Sequence, residues 1–143
     1  MSTGGQATEL WLLWKRAYET TRAAIIADMS AASGLSESEL SVLVCLHESG
    51  GVLRQNAIAA VLGWDRTRLS HLLTRMEKRD YVARGKVGNG VEVTLRPAGR
   101  RTIDASVPAL EVSTRRHLLD RLDPGDATTL KAIVERLLSE DSR

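Results

Sequence analysis

Residues 65–95 read DRTRLSHLLTRMEKRDYVARGKVGNGVEVTL, and a change of period inside this stretch decides the fold. In its first half Leu69, Leu72, Leu73 and Met76 fall at i, i+3, i+4 and i+7, the apolar stripe of an α-helix. Asp65 stands where an N-cap belongs, and the helix is expected to run to about Arg79. After Asp80 the period becomes two: Val91, Val93 and Leu95 alternate with Glu92 and Thr94, as in a strand with one buried face. Tyr81 to Val87 supplies the partner strand, and Gly88, Asn89 and Gly90 are expected to give the positive backbone angles of a tight hairpin. Upstream, Arg54 to Leu62 places Ile58, Ala59 and Leu62 on one helical face and closes at Gly63, a natural left-handed C-terminal position. Two short helices joined at a glycine and followed by a basic hairpin make a winged helix-turn-helix, whose second helix is built to enter the major groove of DNA.

The faces of that second helix separate cleanly. At about 100° per residue, Thr67, His71, Thr74 and Lys78 lie opposite the leucine stripe, with Ser70 and Arg75 flanking them. Donors and cations thus cover the outer face. Arg66, Thr67, Arg68, Ser70 and His71, near the N-terminus, can reach base edges or phosphates, while Thr74, Arg75 and Lys78 lie farther along, the two cations suiting the backbone. An ordinary surface helix also has polar residues outside; it does not come with this turn, this charge and this hairpin.

The charge is unevenly spread. The 143 residues carry 20 basic and 18 acidic side chains, net +2. Between Arg54 and Arg101, however, stand eleven basic residues against four acidic, net +7, which leaves −5 for the remainder. Such segregation in a small chain is an electrostatic footprint for a polyanion, most simply nucleic acid.

The rest of the chain reads as helix. From Thr8 to about Ser33, Leu10, Leu13, Trp14, Ala17, Tyr18, Ala24, Ile25 and Met29 recur at helical spacing, and Gly34 ends the run. Ser36 with Glu39 forms a capping box opening a second helix, which Gly50 and Gly51 stop. Pro97 suits the first position of a fifth helix through Ile103, Val107, Leu110, Leu118 and Leu119, with a kink expected at Pro108. Asp123 and Pro124 are expected to open a last helix through Leu130, Ile133, Val134, Leu137 and Leu138. The expected fold class is therefore mainly α with a small β-hairpin wing, in one domain spanning 1–143: a winged helix-turn-helix lobe at 36–96, flanked by helices at 8–33 and 97–140 whose apolar faces call for a second subunit. No run of 18 apolar residues occurs, and Met1 to Ala7 lacks the basic start and apolar centre of a signal peptide, so a cytoplasmic location is expected.

Leu35 to Arg101 resembles the MarR family of bacterial transcription regulators. The similarity lies in Ala57 to Leu62, in Asp65-Arg66-Thr67, in Leu72-Leu73-Thr74-Arg75-Met76-Glu77-Lys78-Arg79-Asp80-Tyr81-Val82, and in Leu95 and Gly99, which fit the ends of the family's leucine-threonine-x-x-glycine signature. Arg96 replaces the signature threonine. Where the family has aspartate-x-arginine in the wing, Val87 and Asn89 stand, and the wing is several residues short; Arg84 and Lys86 are the remaining wing cations, suited to phosphate anchoring. The resemblance implies a homodimer whose first, fifth and sixth helices interleave, reading a pseudo-palindromic operator in double-stranded DNA as a repressor. It also implies release by a small aromatic or anionic effector, for which Trp11, Trp14, Tyr18, Arg22 and His47 are the candidate residues.

The DNA-contacting set expected from all this is Arg54, Arg66, Thr67, Arg68, Ser70, His71, Thr74, Arg75, Lys78, Arg84, Lys86 and Asn89. No cofactor or metal is expected: Cys45 is a lone cysteine, read as buried and inert, and His47, His71 and His117 are widely separated. An alternative remains open, a winged-helix module meeting an acidic protein partner without specific DNA recognition. An enzyme is a distant third.

Overall fold

The computed structural model describes residues 5–139. The leader reading at Met1 to Ala7 and the Glu140 end of the last flanking segment therefore lie partly outside the described residues. Six α-helices and three short strands follow in order: α1 Gln6–Ser33, α2 Glu37–Glu48, β1 Val52–Arg54, α3 Gln55–Leu62, α4 Arg66–Lys78, β2 Val82–Val87, β3 Gly90–Leu95, α5 Pro97–His117 and α6 Asp126–Leu138, with a 3₁₀ turn at Leu119–Arg121 before α6. No helix among the described residues is long and apolar enough to cross a membrane.

The chain divides into two compact units, Asp28–Ala109 and Met1–Ala27 with Leu110–Arg143. The first holds the core. Leu43, Leu46, Ile58, Leu69, Leu73, Met76, Val82, Val93 and Ile103 are essentially inaccessible, contributed by α2, α3, α4, the sheet and α5. Each such side chain stabilises the fold by about 1.5–3 kcal/mol relative to exposure. The buried apolar residues are aliphatic apart from Met29, Cys45 and Met76, and they include the whole stripe Leu69, Leu72, Leu73 and Met76 expected from the spacing.

Local sequence accounts for the joints. The Ser36–Glu39 capping box forms in both directions, Glu39 N–H to Ser36 Oγ at 3.2 Å and Ser36 N–H to Glu39 Oε1 at 3.1 Å. At the end of α2, Gly50 takes φ +80° and Gly51 N–H donates to the Leu46 carbonyl at 2.7 Å, closing the helix with a Schellman motif. The end of α4 repeats this geometry, but with Asp80 at φ +61° in the glycine position: Asp80 N–H donates to Glu77 O and Tyr81 N–H to Met76 O, both at 3.0 Å. Aspartate tolerates this left-handed conformation better than most residues, at some cost.

The sheet is antiparallel in the order β1-β3-β2, with Val52 opposite Thr94 and Val82 opposite Leu95. Strand β1 was not expected from the sequence; three residues after a glycine pair carry no legible period. Three further expectations are corrected. Of the hairpin residues only Gly88 has positive φ, +65°, which together with the Val87–Gly90 pairing gives a two-residue loop of the II′ kind rather than three left-handed residues. Helix α5 ends at His117, and Leu118 and Leu119 belong to the following turn. Helix α6 opens at Asp126 rather than at Asp123, with Gly125 as N-cap and the Asp126 carboxylate accepting from Asp123 N–H at 2.9 Å. Pro97 is the first residue of α5, and Pro108 lies inside that helix.

Gly99 has a packing reason to be glycine. A Cβ there would collide with the Tyr81 carbonyl, which already accepts from Arg96 N–H at 3.0 Å.

The second unit is organised differently. Among its described residues only Ser113 is buried, while Leu10, Leu13, Tyr18, Leu137 and Leu138 are each at least 60% exposed. So much accessible apolar surface on three helices is unusual for a chain that functions alone.

Candidate nucleic-acid interface

Helix α4 is fixed from beneath by its leucine stripe: Leu69, Leu72, Leu73 and Met76 are all 3% exposed or less. That anchoring leaves Arg66, Thr67, Arg68, His71, Thr74, Arg75 and Lys78 on the exposed side, as the periodicity requires. The helix is about 20 Å long, enough to lie across a major groove roughly 12 Å wide. Its N-terminus is unusual in charge. Asp65 caps it, accepting from Arg68 N–H at 2.8 Å, but the first turn contains no acidic residue and does contain Arg66 and Arg68. Cations at the positive end of a helix dipole are disfavoured by about 0.3–1 kcal/mol each, and an external anion reverses that sign.

The basic side chains divide into two groups. Arg79 is committed to the fold: it pairs with Glu39 at 2.7 Å, donates to Tyr81 Oη at 2.9 Å and stacks 4.8 Å over the Tyr81 ring. Arg84 is committed as well. From β2 it reaches back onto α4, where Nη2 lies 2.6 Å from Glu77 Oε1 and donates to Thr74 Oγ1 at 2.7 Å, while Nη1 donates to Ser70 Oγ at 3.3 Å. Its side chain is 20% exposed. Arg84 thus ties the wing to α4 and is not a free phosphate anchor in this arrangement, and it occupies the hydroxyls of Ser70 and Thr74. Thr74 Oγ1 also donates to the Ser70 carbonyl at 3.0 Å. Arg68 is half-committed, stacked 4.3 Å over Trp64 with a 3.4 Å bond to Ser38 Oγ. The Arg54 guanidinium lies close against Gly90 at the turn end of β3.

Arg66, Thr67, His71, Arg75, Lys78, Lys86 and Asn89 remain exposed and outward, on α4 and on the hairpin. Two cavities open beside α4, one facing the wing and the other facing the start of α3. One, of about 280 Å³, is lined by Gln55, Ser70, Arg84, Gly85, Lys86 and Val91. The other, of about 340 Å³, is lined by Gln55, Arg66, Thr67, Ser70 and His71. Gln55 is a residue that sequence reasoning missed; nothing in its neighbourhood announced that the first turn of α3 would floor this furrow. Glu77 was missed for the same reason, since its role depends on where β2 returns.

The proposed effector residues are less concentrated. Trp11 and Trp14 meet edge to face at 6.0 Å on α1 and, like Tyr18, are about half exposed. His47 belongs to the other unit, with Nδ1 3.9 Å from Asp104. A cavity of about 350 Å³ in the α1 and α5 unit is lined instead by Leu13, Arg16, Thr20, Thr21, His117 and Arg121 among others, and none of the expected effector residues lines it. Cys45 is buried, and burial pushes its thiol up from the ordinary value, as an inert core cysteine requires. No group of three or more His, Cys, Asp or Glu residues gathers to hold a metal among the described residues.

Comparison with solved structures fixes the fold. The chain superposes on AbsC, a MarR family transcriptional regulator from Streptomyces coelicolor, with TM-score 0.80 and 28% identity over 96% of this chain and 98% of that one. The chain has the MarR fold. A second MarR family regulator from the same organism, Sco3205, solved in complex with DNA, matches at TM-score 0.81 and 23% identity, covering 96% and 89% of the two chains. BpsR of Bordetella bronchiseptica, whose DNA binding is regulated by 6-hydroxynicotinic acid, matches at 0.77 and 20% identity over 96% and 99%. A domain family described only as a domain of unknown function, DUF7343, matches residues 34–96, the winged lobe of the MarR fold. No curated protein sequence matches.

Proposed function

We propose that this chain is a sequence-specific, duplex-DNA-binding transcriptional regulator that acts as a homodimer in the cytoplasm, repressing its operator until a small aromatic or anionic effector releases it. One observation carries this: an anchored α4 presents Arg66, Thr67, His71, Arg75 and Lys78 outward beside a hairpin bearing Lys86, in a segment of net +7. The similar proteins whose structures contain DNA, or whose DNA binding responds to an organic acid, support the reading. The apolar faces of α1 and α6 support dimerisation, which would present two recognition helices about one turn, roughly 34 Å, apart.

The test is competition binding against duplexes from the promoter regions flanking its own gene, at two salt concentrations. Tight binding to one region, with a two-fold symmetric footprint and steep salt dependence, is the expected result. The internal commitment of Arg84 and the lack of the family's wing arginine favour one second reading, a winged-helix module for an acidic protein partner. Equal affinity for duplex DNA and for an unrelated polyanion would support that reading instead.

A further inference from the structure

The furrow between α4 and the wing contains one feature that the fold itself does not explain. Gln55 Oε1 is buried without a hydrogen-bond partner, so no internal bond holds the orientation of this amide. A buried unpaired acceptor costs about 1–3 kcal/mol, and an amide can present its two N–H donors by turning end for end.

Gln55 lines the cavity of about 280 Å³ together with Lys86, and it also lines the adjoining cavity with Arg66 and His71. Lys86 forms no salt bridge among the described residues. We propose that this furrow seats one sugar-phosphate strand of bound duplex, with the Gln55 amide and the Lys86 ammonium donating to a single phosphodiester. The inference rests on the DNA-binding reading and refines it: Gln55, outside the recognition helix, positions the duplex relative to α4.

The probe is a duplex of about 30 base pairs recovered by selection from a random-sequence pool, with methylphosphonate replacing one phosphate at a time. For the wild-type protein one position per half-site should cost about tenfold in affinity. In Gln55→Ala, affinity for the unmodified duplex should fall about tenfold and the same neutralisation should cost little more, because the contact is already lost. Gln55→Ala removes an acceptor that has no internal partner, so thermal melting should not fall, which separates loss of the seat from loss of the fold. Gln55→Ala binding as tightly as wild type, or keeping the full position-specific penalty, would overturn the seat while leaving DNA binding intact. Failure of the wild-type protein to select any duplex would overturn the underlying reading and the seat with it. If inorganic phosphate at constant ionic strength stabilises the wild type but not Gln55→Glu, while neutralising no single phosphate of the duplex costs affinity, the furrow takes a free anion and the duplex assignment is wrong.

Discussion

Arg84 on the wing and Glu77 on the recognition helix meet at 2.6 Å, and around that pair the same guanidinium also engages Ser70 and Thr74. The contact makes Arg84 a strut rather than a DNA anchor, and the two roles have opposite consequences on substitution. A phosphate anchor contributes about 0.9 to the slope of log K against log salt. Arg84→Gln should therefore leave that slope unchanged while lowering stability by about 1 kcal/mol. Lys86→Ala should reduce the slope by about 0.9. Glu77→Gln should release Arg84 towards the duplex and raise affinity severalfold at low salt. A reduced slope in Arg84→Gln, measured by fluorescence anisotropy titration, would return Arg84 to the DNA-contacting set.

Base reading should concentrate in the first turns of α4. Removing Thr67 or His71 to Ala is expected to cost about 1–3 kcal/mol on the preferred duplex and to relax preference at one or two base positions. Arg68→Ala should do the same with an added loss of stability, since Arg68 also stacks on Trp64. Selection of binding sites by each variant protein checks this; unchanged preferences in all three would remove α4 from the groove.

Asp80 pays a backbone penalty at φ +61° that glycine would not. Asp80→Gly should raise unfolding free energy by about 0.5–1 kcal/mol, read from urea denaturation, with no change in DNA affinity. A loss of stability would mean that the Asp80 carboxylate does something beyond accepting the turn.

The apolar face of the second unit should close against another copy. Leu137→Glu is expected to convert a wild-type dimer to monomer in sedimentation velocity, because Leu137 is left 62% exposed by its own chain. A monomeric wild type at micromolar concentration would refute the dimer.

Cys45 titrates in a direction that can be tested. Burial raises its thiol above the ordinary value, so the folded state holds the proton more tightly than the unfolded state. Its contribution to stability is complete below the unfolded pKa and disappears as pH rises through the folded one. Stability should fall more steeply with alkaline pH in the wild type than in Cys45→Ala, and a neutral-pH alkylating reagent should label the native protein only as fast as it opens. Rapid labelling of the folded protein would show an accessible thiolate.

Legibility in the sequence followed the range of the interaction. The helices around Leu69, Leu72, Leu73 and Met76, the box at Ser36 and Glu39 and the break at Gly63 are set within a few residues, and they read correctly from spacing alone. Strand β1 could not be read that way, because Val52 to Arg54 acquires its conformation from Thr94, Val93 and Glu92 forty residues away. The charge count misled in one respect. Two of the eleven basic residues, Arg79 and Arg84, are engaged by Glu39 and Glu77, and only the return of β2 beside α4 makes the second pairing possible. The site was thus visible as a charged helix face, while its floor at Gln55 and its strut at Arg84 appear only once the wing is folded back.

The absent side chain at Gly99 has a mechanical consequence. With no Cβ between α5 and the Tyr81 carbonyl, the start of that helix and the root of β2 meet backbone to backbone at this point, and backbone has no rotamers with which to absorb a displacement. A shift of the first turn of α5 is therefore expected to be passed on to the root of β2, with the left-handed joint at Asp80 beside it. A side chain at position 99 would prise the helix and the wing apart.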